Sequence, residues 1–136
     1  SGAGKSTLAH KALEAGSAVL SDDLNAVVDI SAEPAVAQLP FTGDLRKQSI
    51  FEGTAPLRGL FLLEQGSAVA CEVLTRGEAA AAVIATAPYI NQAPENLDGL
   101  VAAATKLTAR VPIGRLTSAA GSPFEEIKRA VLGFLR

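Results

Sequence analysis

The chain has 136 residues, which suits one domain, and its apolar fraction of 49% is enough to build a core. A net charge of −2 argues against a main role in binding nucleic acid or an anionic membrane, because both favour a basic excess. The single cysteine excludes an internal disulfide framework, and no apolar run is long enough to span a membrane. Since no leader peptide is recognisable either, we expect a cytoplasmic domain without nucleic-acid or membrane partners.

The first half of the sequence predicts a helix followed by strands. A helix is expected over Ser6–Ala15, with Gly16 as its carboxyl-terminal cap. Short apolar segments predict strands at Ala18–Leu20 and Ala26–Ile30. The stretch 33–52 contains Pro and Gly and predicts strand fragments and loop.

The second half begins with an expected hairpin. Leu57–Glu64 predicts an apolar strand, and Ala68–Leu74 is expected to be its antiparallel partner across a turn at 65–67. The remaining patterns predict helices at 77–87 and 94–109, a strand at 111–116, and a last helix with Pro123 at its first position. This order predicts an α/β fold with a mixed sheet flanked by helices, in one domain over residues 1–136.

The amino-terminal residues match a phosphate-binding loop. Ser1 to Ser6 supply the last six of the eight positions of G-x-x-x-x-G-K-[ST]. Gly2 and Gly4 allow the tight turn that directs backbone N–H groups at phosphate, and the following helix adds its positive dipole end. Lys5 is expected to reach the β- and γ-phosphates and Ser6 to ligate Mg²⁺. The predicted nucleotide contacts are Ser1, Gly2, Ala3, Gly4, Lys5, Ser6 and Thr7. The alternative is a glycine-rich turn before an ordinary helix.

A pair of carboxylates, Asp22 and Asp23, follows the short predicted strand. A helix, a turn and a returning strand separate the pair from Lys5, so that this topology would bring it beside the phosphates. One carboxylate could then hold the metal while the other accepts a proton. The alternative is that the two residues only form a turn.

Two segments together resemble the C-terminal catalytic domain of HPr serine kinase/phosphorylase. They are Ser1–Ala9, containing the Gly-Lys-Ser-Thr run, and Gly16–Asp23, which ends in the carboxylate pair. Segments 39–44, 55–64 and 110–116 are similar to parts of shorter relatives of that family. The resemblance implies a fold related to phosphoenolpyruvate carboxykinase, with ATP and Mg²⁺ as ligands. It also implies that Asp22 acts as the base toward a serine hydroxyl and that Asp23 lies on the metal side.

Arg58 and its neighbours bear on the same expectation. Arg58 precedes Gly59 at the head of a predicted strand and is expected to reach a phosphate; the alternative is a surface arginine. The family has Glu two residues ahead of this Arg, where this chain has Pro56. Because the loop motif lacks its first two positions and the strand that normally feeds it, we also expect an N-terminally truncated catalytic domain.

The sequence therefore predicts a kinase that transfers the γ-phosphate of ATP to a hydroxyl, with serine of a protein or peptide as the leading acceptor. Lys5 and Asp22 are the predicted catalytic residues, and Ser6 and Asp23 the predicted metal ligands. Three alternatives stay open: a small-molecule kinase, an ATPase, and a nucleotide-binding regulatory module without catalysis. A homo-oligomer is compatible with the sequence.

Overall fold

The structure is a computed structural model that describes residues 4–40, 53–87 and 94–136. Helices and strands alternate irregularly along these ranges. In chain order they are α1 (Lys5–Glu14), β1 (Asn25–Val28), β2 (Ala35–Gln38), β3 (Thr54–Pro56), β4 (Leu60–Gln65), β5 (Ala70–Val73), α2 (Arg76–Thr86), α3 (Leu97–Arg110), β6 (Ile113–Ser118) and α4 (Phe124–Phe134). A short 3₁₀ turn, Pro94–Asn96, leads into α3. The α/β class predicted from the sequence is confirmed. None of the helices in the described ranges is long and apolar enough to cross a bilayer.

The strands form two small sheets. One is antiparallel, in the order β1-β2-β3, and the other is mixed, in the order β4-β6-β5. In the mixed sheet β4 and β6 run parallel, with Leu60 opposite Ile113 and Gln65 opposite Ser118. The central strand β6 is more buried than β4 and β5, as expected for a strand that has a neighbour on each side. The carboxyl ends of β4 and β6 therefore lie at one edge of this sheet and their amino ends at the other.

The predicted hairpin between residues 57–64 and 68–74 is wrong. The second strand, β5, pairs antiparallel with β6, which lies between it and β4. The connection between β4 and β5 passes over the end of β6, where the amide of Gly66 donates to the carbonyl of Ser118 at 3.0 Å. A Cβ at Gly66 would collide with the side chain of Thr117. Strands that are adjacent in sequence often form a hairpin. Here β6, which is distant in sequence, lies between β4 and β5 and pairs with both.

Helices cover both faces of the mixed sheet. On one face Ala79 of α2 packs with Leu74 and Ile113 in a buried cluster. On the other face the ring of Phe134 in α4 meets Phe61 edge-on, with centroids 5.1 Å apart. Successive residues of a strand point to opposite faces, so neighbouring positions in β4 and β6 serve the two layers. This arrangement fixes α4, and α1 that contacts it, on one side of the sheet.

The sequence signals at helix ends were mostly accurate. After α1, the amide of Gly16 donates to Leu13 and that of Ser17 to Ala12, and Gly16 has φ +80°. This is a Schellman motif, so the predicted glycine cap is confirmed. Pro123 stands one position earlier than predicted, as the amino-terminal cap of α4.

One further strand prediction needs correction, and another lies partly outside the described residues. The predicted strand at 18–20 is reduced to an isolated bridge at Val19. Residues 41–52, part of a stretch expected to hold strand fragments and loop, lie outside the described residues, although β2 and β3 flank them. The hydrophobic periodicity of the sequence did not predict that β3 pairs antiparallel with β2. It also did not predict that the strands form two separate sheets.

Candidate functional site

The amino end of α1 begins at Gly4. This residue is the helix cap and has φ 87° and ψ 15°, in the left-handed region that glycine occupies without a Cβ clash. No side chain in the described ranges caps this end by a hydrogen bond. The amides of the first turn have no acceptor within a helix, so this end can receive an anion.

A cavity of about 90 Å³ lies beside this helix end. It is bounded on one side by the first turns of α1 and on the other by the carboxyl ends of β4 and β6. The residues around it include Gly4, Thr7, Lys11, Leu63, Gln65 and Ser118. A crevice at the carboxyl ends of parallel strands is the usual place for ligands in open α/β sheets.

Lys11 joins α1 to the opposite wall of this cavity. Its ammonium group donates to the carbonyl of Ala120 at 2.6 Å and to that of Ser122 at 2.8 Å. Ser122 is itself buried, and its hydroxyl accepts from the amide of Ala119 at 3.0 Å. The loop between β6 and α4 is therefore held by a hydrogen bond within the loop and by two hydrogen bonds from Lys11 of α1.

Sequence reasoning did not single out Lys11. The signal available was its position one and two helical turns after Thr7 and Gly4, which places all three on one face of α1. That spacing does not reveal what lies opposite, because residues 119–122 are remote in sequence. The role of Lys11 follows only from the folded chain.

The structure places the predicted loop residues unequally. Lys5 and Ser6 are exposed in the first turn of α1 and do not line the cavity, whereas Gly4 and Thr7 do. The predicted contacts Ser1, Gly2 and Ala3 lie outside the described residues. The part of the loop motif that is described thus opens a helix, as predicted, with Lys5 and Ser6 accessible to solvent.

The two predicted carboxylates differ in environment. Asp22 is buried, with 9% of its surface exposed, whereas Asp23 is exposed. The backbone amide of Asp23 donates to the hydroxyl of Ser21 at 3.1 Å, which marks a tight turn. Neither carboxylate lines the cavity beside Gly4. The turn that was weighed as the alternative is therefore present, and a catalytic role for the pair stays a prediction.

Arg58 lies away from the phosphate-loop helix. It comes two residues before β4 and lines a separate groove at the amino ends of β4 and β6. The cavity beside Gly4 is at the carboxyl ends of the same strands. The structure does not place Arg58 at the cavity beside α1, and a contact between Arg58 and a phosphate stays a prediction.

The described residues offer few metal ligands at this site. Within the described ranges, no group of three or more His, Cys, Asp or Glu side chains could hold a metal by itself. Mg²⁺ bound with a nucleotide keeps several waters and takes only one or two protein oxygens. The hydroxyl of Ser6 and the carboxylate of Asp23 are exposed oxygen donors of the chemical type that Mg²⁺ accepts.

Comparisons with known proteins do not assign the chain to a family. No family model, no curated protein and no solved structure matches the chain. The function of this site has to be inferred from its own residues and their geometry.

Proposed function

We propose that this chain binds Mg-ATP at the amino end of α1 and transfers the γ-phosphate to a hydroxyl group. The observation that supports this most is the left-handed Gly4 directly ahead of Lys5 and Ser6, at an uncapped helix end beside a cavity. A turn followed by an ordinary helix would account for the glycine. It would not account for the Lys-Ser-Thr sequence that directly follows this glycine at a helix end able to bind an anion. The resemblance to HPr serine kinase/phosphorylase supports the same activity.

The loop residues would bind and orient the phosphates. The amides of the first turn of α1 point toward the helix end, and the exposed ammonium of Lys5 can reach a β- or γ-phosphate oxygen from there. Ser6 and Asp23 would hold Mg²⁺, which when bound neutralises charge on the phosphate oxygens. Gly4 has no Cβ, so the backbone can approach the phosphates closely.

Asp22 would act on the acceptor. In the proposed reaction its carboxylate takes the proton of the acceptor hydroxyl as the oxygen bonds to the γ-phosphorus and the bond to ADP breaks. For this the Asp22 turn must approach the end of α1 when nucleotide and acceptor bind. A serine of a protein or peptide is the leading acceptor, and a small-molecule hydroxyl is the alternative.

The decisive experiment measures transfer of labelled γ-phosphate from ATP to candidate serine peptides and small hydroxyl compounds. Asp22→Asn should lower the rate by about 10²–10⁴-fold, the usual contribution of a general base. Lys5→Ala should lower it by roughly 10²–10³-fold, as when one electrostatic contact to the transition state is lost. Matched controls are Asp98→Asn and Lys106→Ala, which change exposed residues of α3. Transfer that is unchanged in both site variants would overturn the assignment.

A nucleotide-binding module without catalysis is the second candidate. It is favoured by the absence of Asp22 and Asp23 from the walls of the cavity and by Pro56 in place of the family's Glu. Tight Mg-ATP binding that is lost in Lys5→Ala, with neither phosphotransfer nor ATP hydrolysis, would select this candidate. Hydrolysis without any acceptor would instead select an ATPase.

A further inference from the structure

Three arginines meet in a groove at the amino ends of β4 and β6. The groove has a volume of about 540 Å³, and its charged residues are Arg58, Arg110 and Arg136. They come from three separate places: the segment before β4, the last residue of α3, and the segment after α4. Residues so far apart in sequence share one groove only because β4 and β6 run parallel and α3 and α4 both end there.

The described side chains of this groove carry an excess of positive charge. Among the described residues, no Asp or Glu lines it and neither Arg58 nor Arg136 has an ion-pair partner. Arg115 shows the contrast, because its guanidinium lies 2.8 Å from a carboxylate oxygen of Glu64. The carboxyl ends of α3 and α4 border the groove, and their partial negative charge stabilises the guanidinium groups. The same partial charge opposes a bound anion, so the three arginines have to outweigh it.

One of the three arginines is held in place. An Nη atom of Arg110 donates to the carbonyl of Ala32 at 2.9 Å, in the turn between β1 and β2. A guanidinium has five N–H donors, so this bond fixes its position and leaves others for a ligand. Arg58 and Arg136 also line the groove, and both are exposed, so their guanidinium donors are accessible to a ligand.

The rest of the groove is apolar. Leu57, Pro112, Leu132 and Leu135 form its walls, and Leu132 is 47% exposed although it is a large aliphatic residue. Ligand pockets in proteins commonly have volumes of about 300–1,000 Å³ and combine apolar walls with a few polar groups. Guanidinium groups bind carboxylate and phosphate oxygens in the same bidentate manner.

We infer that this groove binds a small dianion, a dicarboxylate or a phosphate ester, whose apolar body packs on the leucines. The site is distinct from the proposed nucleotide site, because the two lie at opposite ends of β4 and β6. Six strand residues separate them, a length of roughly 17–20 Å. Both ligands can therefore be bound at once.

The test is calorimetric titration of the folded protein with phthalate and, separately, with phenyl phosphate. All titrations use the Lys5→Ala background, so that binding at the end of α1 does not contribute. At least one dianion should bind, and Arg58→Gln and Arg136→Gln should each weaken it by about tenfold, since a hydrogen bond to a charged group is lost. The matched control is Arg129→Gln, which removes an exposed arginine of α4 outside the groove.

The outcomes separate clearly. Binding of phthalate alone assigns a carboxylate ligand, and binding of phenyl phosphate alone assigns a phosphate ester; either supports the inference. Leu132→Ala should weaken whichever dianion binds, because it removes part of the apolar wall. The inference is overturned when neither dianion binds, or when Arg129→Gln weakens binding as much as Arg58→Gln does. Circular dichroism of each variant confirms that it is folded.

Discussion

The ammonium of Lys11 lies 2.6 Å from the carbonyl oxygen of Ala120 and so joins two elements that border the same cavity. Lys11 belongs to the helix that follows the phosphate-loop motif, and Ala120 belongs to the loop between β6 and α4. Apart from this link, few residues of α1 and α4 are in contact. The Lys11 side chain is therefore one of the contacts that hold the two walls of the cavity together.

Replacing Lys11 by Met should lower the free energy of unfolding by about 1 kcal/mol, because its charge-assisted hydrogen bonds to two carbonyls are lost. The melting temperature should fall by roughly 4 °C, as measured by calorimetry. Lys106→Met is the matched control, since Lys106 is exposed on α3. Equal melting temperatures for the two variants would show that the link does not contribute. If ATP binds as proposed, Lys11→Met should also weaken it.

Two glycines with positive φ allow a test of the phosphate loop in which the effect on stability is matched. Gly4→Ala and Gly16→Ala place a Cβ on backbones with φ +87° and +80°, and in both cases the Cβ meets no other atom within 4 Å. Each should cost about 1–2 kcal/mol, the usual cost of left-handed backbone. Only Gly4→Ala should reduce Mg-ATP affinity in a titration. Similar affinities for the two variants would argue against phosphate binding at this helix end.

Gly114 is required by packing and not by backbone conformation. A Cβ there would come within 2.8 Å of the Phe134 ring and 2.9 Å of the carbonyl oxygen of Glu72. Gly114→Ala should therefore destabilise the protein by about 1–3 kcal/mol through overpacking. Gly99→Ala, within α3 and with open space around it, should instead stabilise by roughly 0.5–1 kcal/mol. Denaturant titration measures both, and a stable Gly114→Ala variant would contradict the packing of α4 on β6.

The amino end of α2, where Thr75 is the cap and forms a capping box with Glu78, should weaken in acid. The Thr75 hydroxyl donates to a carboxylate oxygen of Glu78 at 2.7 Å, and this bond, with one from the Thr75 amide, lowers the pKa of Glu78. Because the folded pKa is the lower one, the stabilisation is present above the unfolded value of about 4.3 and is lost as pH falls through the folded value.

The measurement compares the stability of the wild-type protein with that of Glu78→Gln between pH 7 and pH 3. The advantage of the wild type should shrink as pH falls, while other titrating groups cancel in the difference. Thr75→Ala should cost about 1 kcal/mol at neutral pH by removing the cap, and in that variant the pH dependence due to Glu78 should be reduced. A difference that does not change with pH would contradict the capping box.

Cys71 should react slowly. It is half-buried in β5, and burial raises the pKa of its thiol, so that less thiolate is present near neutral pH. Alkylation by iodoacetamide at pH 8 should be slower in the folded protein than in urea, by mass spectrometry. An equal rate in both states would show that the thiol is accessible in the fold.

Local features were predictable from the sequence because their causes are local. The glycine after α1, the proline before α4 and the Lys-Ser-Thr run after Gly4 each act through the backbone within one helical turn. Helix positions were accordingly accurate to one or two residues, apart from the amino end of α3, where a 3₁₀ turn precedes the helix.

The strand pairing and the composition of the two cavities depend on contacts between residues that are distant in sequence. Whether β5 pairs with β4 or β6 depends on a strand more than forty positions away, and no periodicity encodes that choice. The same is true of Lys11 meeting Ala120, and of Arg58 lying with Arg110 and Arg136 at the opposite edge from the phosphate-loop helix. The sequence by itself determined the α/β class, the approximate positions of the helices and the phosphate-loop motif. Only the tertiary structure decided which charged groups share a cavity, because that depends on parallel strand pairing and on where each helix ends.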